Sequence, residues 1–562
     1  MNLKLDWYSR RAFQSIAQRA PMLAQRCLWW SGLLVLSCSA SILPASAAER
    51  LTLKIGPFEQ SISVEDLEKF AKTGELAGGL KPYASLLTPQ VQQLLTRRLQ
   101  LDPKLADKFV DDLLRSPSGN DLIDKIRTAI PNSSIEQVRG ALALAVRGGN
   151  GLSAISFLRA YPGENITLDA SSALGMALEF NPSYLKSQAL GPLLERELNV
   201  EGAAFNAPFD AAAPGEQKVQ EQTLTLQDKQ RDRAIPVNIY WAENTNGPLV
   251  VLSHGFAADR NFLDYLARHL ASHGLTVAAL DHPGSNATWI YSGSIGTDPS
   301  SLLAPSEFVD RPKDVSFLLD ELAKMNQQPG VLQGKLNTQQ VTALGHSLGG
   351  YTVLALAGGE LNIEDVRQFC KQRNPLSKLG GDWLQCAAAG LKDSRSQLRD
   401  RRVVQAIALN PLIGQLFGKN GLSQISTSTL ILSSTDDVLT PALTHQLRPF
   451  TQIKGSKYLL TAIGATHLSI SKFAAGSSGE ALTKNTLVNE RVGKVAEPLQ
   501  QLLKGVTLAF IKQTTPEAKT YQPFLTSAYA QSLSTEELPL RLNAELPTNV
   551  SRWLDVASAI NN

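Results

Sequence analysis

The run Val341-Thr-Ala-Leu-Gly345-His-Ser347-Leu-Gly349-Gly350 constrains this chain more than any other stretch. Four apolar or β-branched residues break into Gly-x-Ser-x-Gly, and Tyr351-Thr-Val-Leu-Ala-Leu-Ala357 follows without a glycine. The letters alone are weak: with Gly at about 7% of residues, a chain this long shows the pattern by chance roughly one time in five. Context makes it specific. A buried strand ends, the chain turns sharply, and a buried helix starts at once. Glycines two residues either side of the serine remove the Cβ atoms that would hold strand and helix apart. Such a turn presents a serine hydroxyl as a nucleophile; the same letters also fit an ordinary Gly-rich strand-to-helix turn.

A serine nucleophile needs a base, a carboxylate to orient it, and N–H donors for the oxyanion. Behind an elbow of this kind the chain order is Ser, then Asp or Glu, then His. Of seven histidines only His445 and His467 follow Ser347. His445 stands four residues past Pro441 in what reads as a surface helix. His467 follows Lys457-Tyr-Leu-Leu-Thr-Ala-Ile463, a last-strand pattern, and then the loop Gly464-Ala-Thr. It is the base by elimination, the alternative being a structural loop histidine. His254, His282 and His346 also sit at strand ends, but in the wrong order. The carboxylate is Asp436 or Asp437, after the short strand Thr429-Leu-Ile-Leu432; either could instead cap the next helix. The oxyanion donors are the N–H of Leu348 and that of Phe256, in the loop Ser253-His-Gly255-Phe256 after the strand Pro248–Leu252. Gly255 permits the bend this requires; Phe256 could also be only a pocket wall.

Strand and helix patterns alternate through this part of the chain. Gln222–Asp228 and Ile235–Trp241 read as an antiparallel start, Leu275–Leu280 as a further strand, and Asp259–His273 and Pro305–Met325 as helices. The fold class is α/β, a doubly wound, mostly parallel sheet with helices on both faces. It spans about 217–523, with a cap-like insertion at about 359–402 and a helical tail over 524–562. The Ala/Pro/Gly-rich stretch Glu201–Gly215 marks a boundary, so 207–216 is read as a linker and 49–206 as a separate, mainly helical domain. That domain opens with a hairpin (Arg50–Ile55, Glu59–Val64). Helical periodicity follows over Val64–Lys72, Pro89–Gln100, Pro103–Leu114, Asn120–Ala129, Ser134–Arg147 and Leu152–Tyr161, with Ser134-x-x-Gln137 as a capping box. It holds no nucleophile motif, ligand cluster or phosphate loop.

Residues 1–48 read as an export signal: Lys4, Arg10, Arg11, Arg19 and Arg26, then the apolar stretch Leu28–Leu43, then Pro44-Ala-Ser-Ala47. Ser9-Arg-Arg-Ala-Phe13 also fits a twin-arginine signal, so the route to the periplasm or beyond is Sec or twin-arginine. The formal charge of +3 includes +4 from that leader, leaving −1 on the mature chain and no basic footprint for nucleic acid. Cleavage also leaves two cysteines, Cys370 and Cys386, both in the insertion. In an oxidising compartment they suit a disulfide worth about 3 kcal/mol by loop entropy, with two free thiols the alternative. No zinc-type Cys/His spacing occurs, so neither metal nor organic cofactor is expected.

From Gln217 to Pro523 the chain resembles an α/β-hydrolase of the platelet-activating-factor acetylhydrolase-like and dienelactone-hydrolase-like branch. The matching pieces are Ser253-His-Gly-Phe256, Leu280-Asp-His-Pro-Gly-Ser-Asn286, Gly345-His-Ser-Leu-Gly-Gly350, Asp437-x-x-x-Pro441 and the late His467. The 49–206 segment resembles a helical domain of unassigned function that precedes certain exported bacterial hydrolases. One departure matters. Plasma-type acetylhydrolases take their acid after the sixth strand, where this chain has Asn410. The acid then comes from the seventh strand, as in polyester hydrolases, and the proline four residues on selects Asp437 over Asp436. The resemblance implies an exported serine hydrolase acting on short-chain or lipid-like carboxylic esters through Ser347, Asp437 and His467, with peripheral membrane contact if the ester is lipid. A same-fold acyltransferase or peptidase, or a catalytically silent binding scaffold, are the alternatives. Amino-terminal sequencing of the natively expressed protein should find a start at Ala48 or Glu49; an intact Met1 chain in the soluble cytosol would refute the leader.

Overall fold

The computed structural model describes residues 48–559 apart from 56–57, 84–91, 93–94, 96–122, 124–125, 148–152, 170–181, 203, 208, 292–302, 373–379 and 473–489. The leader, the Pro89–Gln100 and Pro103–Leu114 helices and much of the one expected over Asn120–Ala129 therefore lie outside the described residues.

The amino-terminal segment builds a small core of its own. β1 (Arg50–Ile55) and β2 (Phe58–Ser63) form the expected hairpin, and β3 (Asn165–Asp169) adds a third strand parallel to β1 that periodicity did not reveal. The helix Val64–Thr73 starts where Ser63 Oγ accepts the N–H groups of Glu65 and Asp66, and ends at left-handed Gly74 (φ 76°). Its Val64, Leu67 and Phe70 pack on Leu51, Ile62 and Ile166. Ser134 and Gln137 exchange both bonds of a capping box ahead of the helix Ile135–Arg147, at 2.9 and 3.1 Å.

The large sheet has nine strands. β4 (Gln220–Asp228), β5 (Arg233–Trp241), β6 (Leu249–Ser253), β7 (Thr276–Leu280) and β8 (Val341–His346) form one half. The insertion then carries β9 (Glu360–Asn362) and β10 (Arg395–Gln397), which pair only with each other. β11 (Val403–Leu409), β12 (Ser428–Ser434), β13 (Lys457–Ala462) and β14 (Leu540–Asn543) complete the sheet. Its order is β14-β13-β12-β11-β8-β6-β7-β5-β4. The run from β7 to β13 is parallel and the pairs β4–β5, β5–β7 and β13–β14 are antiparallel. Every residue of β6, β7 and β8 is buried, as a parallel sheet covered on both faces requires. The chain leaves β6 toward β7 on one side and reaches β8 on the other, so the connections diverge at the carboxyl ends of β6 and β8, the place where α/β sheets bind ligands.

Two placements differ from the sequence expectation. The 524–562 tail is not wholly helical: Leu540–Asn543 is the edge strand β14, four residues being too short for alternation to show. The helix Pro182–Glu197, expected with the amino-terminal domain, contributes Leu190 and Leu194 to the core of the large sheet, not to that of the amino-terminal segment. In the insertion, the helices Ile363–Gln372 and Gly381–Ala387 are joined by a Cys370–Cys386 disulfide with Cα atoms 5.8 Å apart.

The elbow glycines carry a test. A Cβ on Gly349 would stand 2.0 Å from the Ser253 carbonyl oxygen, whereas one on Gly330 meets nothing within 4 Å. Gly349→Ala should cost about 3 kcal/mol or more and lower Tm by roughly 6 °C or more. Gly330→Ala should leave Tm within about 2 °C. Equal melting of the two variants would contradict this packing.

Candidate active site

Ser347 follows the last residue of β8 and precedes the helix Leu348–Leu356, with φ 56° and ψ −117°. A non-glycine residue in that region is strained, and only surrounding bonds hold it there. Its N–H donates to Leu409 O at 2.9 Å, and its carbonyl accepts from Leu412 at 2.9 Å and Tyr351 at 3.1 Å. β11 and the helix therefore grip the turn from both sides. A Cβ on Gly345 would lie 2.2 Å from Gly349 O, so the crossing is too close for any other residue.

His467 and Asp437 meet at this edge. His467 Nδ1–H donates to Asp437 Oδ2 at 2.6 Å, which leaves Nε2 with the lone pair a base requires. The Thr440 hydroxyl donates to the same oxygen at 2.6 Å, and Thr440 N–H donates to Asp437 Oδ1 at 2.7 Å. Asp437 thus caps its own turn with one oxygen and faces the imidazole with the other. Asp436 points elsewhere: it accepts from Thr435 Oγ1 at 2.9 Å and from Gln188 Nε2 at 3.4 Å. Adjacent residues leaving a strand project oppositely, so one aspartate reaches the histidine and its neighbour the flanking helix. Asn410, at the position where the acetylhydrolases carry their acid, donates from Nδ2 to the carbonyl of His467 at 3.2 Å. It braces the backbone of the histidine rather than its ring.

Electrostatics separate His467 from its neighbours. Burial lowers the His254, His282 and His346 imidazoles well below their ordinary range. Arg311 and then the other imidazole and Arg260 add to this at His254, as do Arg311, Arg233 and Arg231 at His282 and His467 at His346. Burial acts on His467 in the same direction, but the charge and hydrogen bond of Asp437, with a contribution from Glu490, outweigh it and raise the imidazole above 6.5. Among these four, only His467 is placed to accept a proton readily. His445 is not on a surface helix as expected: it is buried, its Nδ1 accepting the Ile413 N–H at 3.0 Å.

The loop carrying Phe256 is held by a buried polar lattice that sequence reading missed. His282 N–H donates to His254 Nε2 at 3.0 Å, so the His254 proton is on Nδ1, which donates to Gly255 O at 2.6 Å. Fixing that carbonyl fixes the planar Gly255–Phe256 peptide and hence the direction of the Phe256 N–H. That N–H takes no acceptor among the described hydrogen bonds. Leu348 is the first residue of its helix, where N–H groups lack intrahelical acceptors. A Cβ on Gly255 would stand 3.1 Å from the Ser347 Cβ, which puts this loop directly beside the serine.

Beneath the loop is a second Ser–His–Asp chain. Ser253 Oγ lies 2.9 Å from His282 Nε2, and His282 Nδ1 lies 3.0 Å from Asp314 Oδ2. All three side chains are buried, and burial, deepened by three arginines, keeps this imidazole neutral, so the chain is a brace and not a base. Arg311, fully buried, donates to the His254 carbonyl, to Ser285 Oγ at 2.7 Å, to Thr352 Oγ1 at 3.1 Å and to Ser253 Oγ at 3.3 Å. It thereby ties the Phe256 loop to the serine helix.

Two further elements touch the acid turn. Gly381 N–H, in the insertion, donates to Leu439 O at 2.7 Å, and a Cβ on Gly381 would lie 2.6 Å from that oxygen. Ser187 Oγ, on the Pro182–Glu197 helix, accepts the Leu443 N–H at 2.9 Å. Both belong to segments distant in sequence, and no local pattern marks them. Among the described residues no cluster of His, Cys, Asp and Glu is arranged to hold a metal ion.

Comparison with known proteins agrees with this architecture. Residues 248–360 match the alpha/beta hydrolase fold family, and residues 47–169 match a family described as alpha/beta hydrolase of unknown function (DUF1400). Over a 138-residue alignment the chain is 29% identical to platelet-activating factor acetylhydrolase of Cavia porcellus, covering 19% of this chain and 31% of that protein. The stretch of likeness thus spans well under two thirds of that relative's length. From the nine-stranded sheet, the strained serine turn and these matches together, the chain has the α/β-hydrolase fold, and over part of its length it is similar to an acetylhydrolase.

Proposed function

We propose that this protein is an exported serine hydrolase that cleaves carboxylic esters through an acyl-enzyme. The observation that carries the reading is the 2.6 Å bond from His467 to Asp437 at the sheet edge where Ser347 sits on its strained turn. His467 Nε2 takes the Ser347 proton as Oγ attacks the ester carbonyl. The Phe256 and Leu348 N–H groups receive the oxyanion, and the imidazolium returns its proton to the departing alkoxide. Water, deprotonated by the same nitrogen, then releases the acid. Asp437 keeps the proton on Nδ1 and balances the imidazolium; it is not itself protonated.

The buried serine, the insertion docked on the turn that carries Asp437, and the half-buried Phe256 and Trp289 support short-chain or lipid-like esters. Tyr291, expected to share this lining, has a side chain outside the described ones. The acetylhydrolase relative supports ester cleavage as the reaction class. The leader pattern and the Cys370–Cys386 disulfide support export. An acyltransferase differs only in its second step, where an acceptor other than water takes the acyl group. Product analysis with and without added alcohol separates the two.

A fluorophosphonate probe should label Ser347 in the mature protein and fail to label Ser347→Ala; an unlabelled Ser347 would refute the reading and favour a binding scaffold. In a panel of p-nitrophenyl esters, Asp437→Asn should lose about 10³- to 10⁴-fold in kcat while staying folded. Asp436→Asn should lose under roughly tenfold, since its carboxylate accepts from Thr435 and from the Pro182–Glu197 helix and not from the His467 ring. The reverse ranking would move the acid to Asp436.

A further inference from the structure

A second carboxylate bears on the His467 loop. Glu490 and Arg491 lie outside any helix or strand and run along the turn that carries the imidazole. Leu468 N–H donates to Glu490 Oε2 at 2.9 Å, Arg491 N–H donates to Thr466 Oγ1 at 2.9 Å, and Ser469 Oγ donates to Arg491 O at 2.7 Å. The residues immediately before and after His467 are therefore both held by this strap.

Holding a loop does not require a charge. A glutamine or a backbone carbonyl would accept the Leu468 N–H as well. Here the acceptor is a carboxyl group whose other oxygen, Oε1, is sealed from solvent with no hydrogen-bond partner, although the residue as a whole is only partly buried. An ionised carboxylate with a dry, unpaired oxygen is costly unless a positive charge faces it. Among the described residues the charged and titratable groups bearing on it are His467 and Asp437. Arg491, beside it in sequence, turns its guanidinium to Gly464 and the Glu537 carbonyl. His346, whose ring centroid is 4.5 Å from that of His467, stays neutral. Among the described residues the cation that faces Glu490 is therefore the His467 imidazolium, which forms as the reaction proceeds.

We propose that Glu490 is a second positioning carboxylate of the active site, which fixes the Thr466–Leu468 turn and stabilises the charged form of His467. It exchanges no proton with the substrate; the Ser347 proton goes to His467 Nε2 and from there to the leaving group. The coupling is mutual. Burial, with a smaller push from the charge of Asp437, raises the Glu490 carboxyl, while the Thr466 hydroxyl, a protonated His467 and the Leu468 N–H pull it back down; Glu490 in turn helps raise His467. Such an interaction strengthens between ground and transition state, the condition for raising kcat rather than merely lowering KM.

This inference rests on His467 being the base, so its test includes a readout that needs no activity. The seven histidines are labelled at Cε1 with ¹³C, the His467 signal is assigned by its loss in His467→Gln, and its titration is followed in the wild type, Glu490→Gln and Glu490→Asp. The glutamine keeps an acceptor for Leu468 N–H and removes the charge; the aspartate keeps the charge. Expected is a His467 pKa lower by about one unit in Glu490→Gln and closer to wild type in Glu490→Asp. Ester hydrolysis by Glu490→Gln should show its acid limb displaced to lower pH by the same amount. Its kcat should be about tenfold lower, with KM within about twofold. A His467 titration in Glu490→Gln that superimposes on the wild type would overturn the proposal and reduce Glu490 to a spacer. Absent fluorophosphonate labelling of Ser347 would instead sink the hydrolase reading, while the NMR titration would still decide the electrostatic coupling.

Discussion

The guanidinium of Arg311 is the interaction on which the site's geometry hangs. It is fully buried, and burial lowers its pKa to about 10, so it remains charged at neutral pH. Its donors reach the end of β6, the 282–286 loop and the serine helix, three segments that share no local sequence. The compensating negative charge comes from Glu307 and Asp314, which also bind Arg233 of the β4–β5 hairpin at 2.8 Å. A buried ion network of this kind adds little net stability. Removing one member, however, leaves its partners uncompensated at about 3–5 kcal/mol. What the network supplies is position. Phe256 stands on a loop and Leu348 on the serine helix, and keeping the loop beside Ser347 requires both segments to be held against one rigid group.

The same low-dielectric interior sorts the histidines. Burial alone lowers every imidazole at the sheet's carboxyl edge, and arginines deepen that at His254 and His282. A carboxylate without a competing arginine distinguishes His467. The Ser253–His282–Asp314 chain makes the contrast sharp, since it has the residue types and distances of a catalytic relay yet lies beneath three arginines with no exposed surface. Residue identity and hydrogen-bond length do not define a base; the surrounding charge does.

Much of the site was legible because the chemistry imposes local spacing. Gly345 and Gly349 announce the turn around Ser347 because no other residue tolerates a 2.2 Å or 2.0 Å Cβ approach to a carbonyl oxygen. Chain order isolated His467, and proline spacing separated Asp437 from Asp436. Other features left no such trace. β14 is four residues long, β3 pairs across more than a hundred residues of intervening chain, and His445 read as a surface residue because its buried partner, the Ile413 N–H, lies thirty-two residues away.

The sequence by itself determined the strand–turn–helix around Ser347, the alternation that makes a mostly parallel sheet, and the order in which Ser347, Asp437 and His467 occur. Each is a local consequence of backbone sterics or side-chain period. Only the tertiary structure decided that the Pro182–Glu197 helix joins the large sheet's core and that Arg311 unites the two loops beside the serine. It also decided that Asn410 braces the His467 backbone and that a carboxyl oxygen of Glu490 is sealed against the His467 turn. These are contacts between segments far apart in the chain, where burial and charge compensation set the outcome, and neither quantity exists until the chain has folded.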